Sequence, residues 1–94
     1  MVEQSLETIV FICADGKLSP KELNHLNEAW SRGDYRLWFD FSHNFCGEIA
    51  IVISARRYGK HEGVDITKQW REVRERLVVG EVPDWLIEKA LKNN

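Results

Sequence analysis

Apolar and polar residues alternate most strictly between Asp34 and Arg57. Leu37, Phe39 and Phe41 are interleaved with Arg36, Trp38, Asp40 and Ser42, and Ile49, Ile51 and Ile53 with Glu48, Ala50, Val52 and Ser54. A period of two sends successive side chains to opposite faces of a pleated strand. Residues 35–57 are therefore expected to form an antiparallel β-hairpin with one strongly apolar face, turning around His43, Asn44 and Gly47. Upstream, Leu6, Ile9, Val10 and Cys13 recur at the spacing of one helix face, widened by Phe11 and Ile12, which predicts a buried helix over residues 4–14 that stops at Asp15-Gly16. A second helix has a sharper start: Ser19 at the N-cap, Pro20 at the first helical position and Glu22 three residues after the cap make a capping box. Leu18 and Leu23 are placed as a hydrophobic staple, Leu23, Leu26 and Trp30 mark the buried stripe, and Gly33 terminates the helix after about Ser31. Residues 4–31 together read as a helical hairpin.

Downstream of the β-hairpin, residues 58–63 form a polar connection containing Gly59 and Gly63. Val64, Ile66, Trp70, Val73 and Leu77 then give a helical stripe that predicts a helix over residues 64–79, with Asp65 or Thr67 available as its cap. Residues 78–82 suit either the end of that helix or a short third strand. Pro83 and Asp84 open a last helix over residues 83–92, supported by Trp85, Leu86, Ala90 and Leu91. The expected fold class is α+β, a small single domain over residues 1–94 in the order α-α-β-β-α-α, with helices packed on the apolar face of the antiparallel β-hairpin. Two strands alone are marginal in water, and an open edge along Ile49–Ile53 invites pairing. That edge is expected to be covered by residues 78–82 or by the same strand of a second copy, which favours a homodimer.

The stretch ADGKLSPKEL, residues 14–23, resembles the second half of an EF-hand calcium loop, with Asp15, Gly16, Ser19 and Glu22 falling at its fifth, sixth, ninth and twelfth positions. The first and third ligand positions fall on Phe11 and Cys13, which offer calcium no oxygen. The same stretch, following an apolar segment, resembles the helix junction of TerB-like tellurite-resistance domains, a likeness that implies an all-helical fold with no place for the β-hairpin. Both likenesses are read as shared turn-and-cap chemistry, and no metal site is carried over from either.

Composition narrows the class of protein more than its function. The 94 residues are 44% hydrophobic and 30% charged with a net charge of −2, a globular profile too near neutrality to announce a nucleic-acid partner. No apolar run approaches the ~20 residues that span a bilayer, and the start MVEQSLETIV lacks a basic signal-peptide region. A cytoplasmic location with no membrane partner is expected, with Cys13 and Cys46 reduced.

Candidate chemistry is sparse. His43 and Cys46 have the spacing of a metal-ligand pair, but further ligands would come from His61, Glu62, Cys13 or His25, in no recognised order. Cys46 beside His43 or His61 could serve as nucleophile and base, yet no oxyanion-hole motif, nucleophile elbow or nucleotide-binding glycine loop accompanies them. A metal-dependent or cysteine enzyme built on His43, Cys46 and His61 is thus the third reading; no cofactor is expected. The second is nucleic-acid binding by Arg56, Arg57, Lys60, Lys68, Arg71 and Arg74, with Tyr58 for base stacking. Glu62, Asp65, Glu72 and Glu75, interleaved with them, give the same segment the pattern of a solvated face. The preferred reading is a non-catalytic protein–protein interaction or regulatory domain. Alternation puts Trp38 on the more polar side of the hairpin with Ala50 and Val52, so Trp38, Val52 and Tyr58 are the expected contacts with another protein or a second copy of the chain.

Overall fold

The computed structural model describes residues 7–12, 16–45, 48–57 and 63–92. Its elements are β1 (Glu7–Ile12), α1 (Pro20–Ser31), β2 (Arg36–Phe45), β3 (Glu48–Arg56), β4 (Val64–Asp65), α2 (Trp70–Val78) and α3 (Asp84–Lys92). The strands form one antiparallel sheet in the order β1-β3-β2-β4, so the fold is α+β. At its centre lies the expected hairpin. Leu37, Phe39 and Phe41 stand opposite Ala55, Ile53 and Ile51, while Trp38 and Asp40 stand opposite Ser54 and Val52.

The order α-α-β-β-α-α is corrected to β-α-β-β-β-α-α, beginning with the first segment. Residues 7–12 form strand β1, not part of a helix over 4–14, and no helical hairpin spans 4–31. Thr8, Ile9, Val10 and Ile12 are β-branched and Phe11 is aromatic, residue types that suit a pleated surface better than a helix. A run of adjacent apolar residues satisfies both periods, and the open edge of β3 decides between them. β1 pairs along it, with Val10 opposite Ile53, Phe11 opposite Val52 and Ile12 opposite Ile51. The edge expected to recruit residues 78–82 or a second copy is thus closed by β1. Residues 78–82 form no strand: Val78 ends α2, and Gly80, at φ +82°, donates its N–H to the Leu77 carbonyl at 3.2 Å.

Helix α1 starts as its capping box dictates. The Ser19 hydroxyl accepts from the Glu22 N–H at 3.3 Å, and the Glu22 carboxylate accepts from the Ser19 N–H at 3.2 Å. The helices bury Leu26 and Ala29 of α1, Trp70, Val73 and Leu77 of α2, and Leu86 and Ala90 of α3. All of them join one hydrophobic cluster with Leu37, Phe39, Ile51, Ile53 and Ala55 of the sheet. A backbone bond from Leu18 N–H to the Leu77 carbonyl, 2.9 Å, fastens the approach to α1 onto the end of α2.

The second correction concerns residues 64–69, expected as the first turns of a helix over 64–79. Val64 and Asp65 instead pair with Phe39 and Trp38, and α2 begins only at Trp70. Gly63 permits this approach: at φ +110°, a Cβ there would lie 2.8 Å from the Phe39 carbonyl oxygen. Asp65 and Thr67 hold it in place. The Thr67 hydroxyl donates to Asp65 Oδ1 at 2.6 Å and accepts the Leu37 N–H at 2.9 Å, while the Thr67 N–H donates to Asp65 Oδ1 at 3.0 Å. Asp65 Oδ2 takes two N–H groups of Arg36, that of Nε at 2.9 Å. Ile66 N–H donates to the Leu37 carbonyl at 2.9 Å, and the Thr67 carbonyl accepts the Trp30 indole N–H at 3.1 Å.

Burial raises the Asp65 pKa, but the Thr67 hydroxyl and amide and the Arg36 guanidinium outweigh it, and the net shift is downward. Because the folded-state pKa is depressed, the ionised carboxylate stabilises the fold fully above the unfolded value of about 3.9 and loses that effect as pH falls through the lower folded value. Thermal denaturation followed by circular dichroism should show Thr67→Val less stable by about 1–3 kcal/mol, since it leaves the Leu37 N–H without its acceptor and removes one of the two Thr67 donors to Asp65 Oδ1. In the same assay the gap between the native chain and Asp65→Asn should be widest above about pH 5 and narrow below about pH 4; a gap constant across that range contradicts the assignment.

Candidate interaction surfaces

One surface is the face of the sheet on which, among the described residues, no helix packs its buried stripe; it is called the helix-free face. Residues alternating with the buried Leu37, Phe39, Ile51 and Ile53 are Arg36, Trp38 and Asp40 on β2 and Ala50, Val52, Ser54 and Arg56 on β3. Trp38 and Val52 are half-buried and stand outside the hydrophobic cluster. Ser54 and Ala50 on this face are only 4% and 5% exposed. Backbone register sets Ile9 opposite Ser54 and Phe11 opposite Val52, extending the rows through Trp38 and Asp40 onto β1 with apolar residue types. At one end, Arg36 and Arg56 are cross-strand partners, and Arg36 is tied to Asp65.

A second surface lies between α1 and α2, where an open groove of about 440 Å³ is lined by Asn24, Asn27, Glu28, Trp30, Ser31 and Arg74. Its floor is built by hydrogen bonds. Asn27 Oδ1 accepts both the indole N–H of Trp70, at 2.8 Å, and a guanidinium N–H of Arg74, at 3.0 Å. The Arg71 guanidinium lies 5.5 Å from the centre of the Trp30 ring, within cation–π range. A further groove of about 480 Å³ runs from Glu72 and Arg76 to Val82, Pro83 and Trp85. There Arg76 pairs with Glu81 at 3.1 Å, and Lys89 lies 5.6 Å from the centre of the Trp85 ring.

The residues singled out in the sequence are distributed over these surfaces. Trp38 and Val52 share the helix-free face, and Tyr58 lies outside the described residues, as do Lys60, Cys46 and His61. His43 has its backbone in β2, opposite Ile49. Arg56 closes β3 on the helix-free face, and Arg57 pairs with Asp34 at 2.9 Å on the exposed rim. Lys68, in the turn before α2, and Arg71 and Arg74, on α2, belong to the helical layer. The basic set therefore divides between two layers. Asn27 and Trp30 were not among the expected site residues; the only trace of their role is the polar spacing of Asn24, Asn27 and Ser31 along α1. Among the described residues, no three His, Cys, Asp or Glu side chains cluster as metal ligands, and no helix is long and apolar enough to cross a membrane.

No protein-family model matches the chain, and neither a curated protein nor a solved structure matches it significantly. No family is assigned. The surfaces themselves must carry the functional reading.

The shared oxygen of Asn27 gives a clear expectation. Asn27→Ala should cost about 1–3 kcal/mol, because it leaves the N–H of the fully buried Trp70 without an acceptor. Arg74→Gln, which removes only the half-buried guanidinium, should cost no more than about 1 kcal/mol. Urea denaturation of the two variants compares them, and equal costs would contradict a structural role centred on Trp70.

Proposed function

We propose that the protein is a small non-catalytic interaction module that works in the cytoplasm and uses the helix-free face of its sheet, centred on Trp38 and Val52, as a contact surface for protein. The observation that carries this reading is the one-sided distribution of the helices. Their buried side chains all join the cluster on the Leu37–Phe39–Ile53 side, while a tryptophan and a valine occupy the other side among Asp40, Ser54 and the arginines. A large aromatic residue set among polar neighbours supplies much contact area at little cost in side-chain entropy. A second copy of the chain is the partner put forward first. Two such faces can stack at the ~10 Å spacing of paired sheets, and the flanking charged residues would then form the polar rim usual around an apolar contact.

Light scattering over a concentration series tests this directly. The native chain should move from monomer toward dimer as its concentration approaches about 1 mM, the weak end of specific association. Val52→Glu should stay monomeric with an unchanged far-ultraviolet spectrum. A native chain monomeric throughout would reject the second copy as partner. Unfolding of both Val52→Glu and Trp38→Ala would show that the face is core and not a contact surface.

A further inference from the structure

We infer that the groove between α1 and α2 binds a short stretch of single-stranded nucleic acid. This surface is independent of the Trp38 face and lies on the helical layer. Arg74 lines the groove beside Glu28, Arg71 borders it over the ring of the lining Trp30, and Lys68, exposed like Arg71, follows Thr67, whose carbonyl holds the Trp30 indole. Two of these cations are already fixed in place: Arg71 over the Trp30 ring and Arg74 on the Asn27 oxygen. The Trp30 indole is itself anchored, its N–H bonded to the Thr67 carbonyl. Side chains ordered before binding lose less entropy when a ligand arrives.

The chemistry of this set suits a ligand that alternates planar rings with phosphates. A guanidinium lying over an indole is a flat, cationic platform on which a base can stack, and every base has a π-face to offer. Arg74 spends one N–H on Asn27 and has others in the fixed fork that matches phosphate oxygens. Asn24 and Ser31 on the α1 wall bring an amide and a hydroxyl, both able to meet base edges or ribose hydroxyls. An acidic peptide would use the cations but leave the platform idle. Glu28 on the same wall opposes any anionic ligand, and it sets the affinity below what the three cations alone would give.

Fluorescence anisotropy of a fluorescein-labelled mixed-sequence 12-nucleotide RNA with the full chain tests the inference. Saturable binding is expected at 50 mM KCl. It should weaken about fifteen-fold at 200 mM, the slope of about −2 in log–log form that release of counterions from three phosphates produces. Lys68→Glu and Arg71→Glu should each weaken binding at least about ten-fold, and Glu28→Gln should tighten it. Arg76→Glu makes the same change in net charge at a residue that lines the other groove, so it should alter the affinity less than about two-fold. Absence of binding at 50 mM KCl, or an equal loss in Arg76→Glu, overturns the inference. A labelled polyglutamate peptide of matched charge binding as tightly as the RNA also overturns it and assigns the groove to acidic protein segments.

Discussion

The hydroxyl of Thr67 ties together parts of the chain that lie far apart in sequence. Its proton goes to Asp65, and its lone pair takes the backbone N–H of Leu37, thirty residues earlier. The neighbouring carbonyl takes the indole of Trp30. Strand β4, the edge of β2, the end of α1 and the approach to α2 are thereby joined through one turn. A carboxylate drawn partly out of water is destabilised unless its charge is met, and Arg36 and two donors from Thr67 meet that of the part-exposed Asp65. The same bonds set where α2 begins, because a chain that has paired Val64 and Asp65 with β2 can resume helix only after the turn.

The division of the molecule into two layers follows. With β4 held against β2, helices α2 and α3 descend on the side of the sheet that carries Leu37 and Phe39, and α1 packs beside them. One face of the sheet becomes core, and the other keeps Trp38 and Val52. On the helical layer, the closeness of α1 and α2 creates the Asn27 junction, where one oxygen serves a buried indole and a half-exposed guanidinium. The two surfaces are thus products of one packing arrangement, and they differ in chemistry as they do in position. One sets Trp38 and Val52 among Asp40, Ser54 and the arginines; the other is a polar groove lined by one tryptophan, one arginine and one glutamate.

Much of this was legible where the local signal admitted a single solution. The alternation from Leu37 to Ile53 could only be a hairpin, and Ser19, Pro20 and Glu22 could only start a helix there. Pro83 marked the opening of α3 for the same reason. Residues 8–12 were different: Thr-Ile-Val-Phe-Ile satisfies the helical and the extended period alike, and pairing with β3, some forty residues away, decides between them. Val64, Ile66 and Trp70 likewise fit a helical stripe, and Asp65 and Thr67 passed for caps because these residue types cap helices and close turns with the same hydrogen bonds. That Trp38, Ala50 and Val52 share a face was legible, since period two assigns faces, but whether a helix covers that face was not. Asn27 was invisible as a structural residue, since nothing local ties an exposed-looking asparagine to an indole forty-three positions on.

The proposed division of the sheet into a core face and a partner face can be read residue by residue from amide chemical shifts. Spectra of the ¹⁵N-labelled chain recorded from about 20 μM to about 1 mM span the onset of weak association. Expected are concentration-dependent shifts at alternate residues of β2 and β3, namely Trp38, Asp40, Val52 and Ser54, with the amides of α2 and α3 unchanged. Shifts confined to the helices, or none at all across the series, would contradict it.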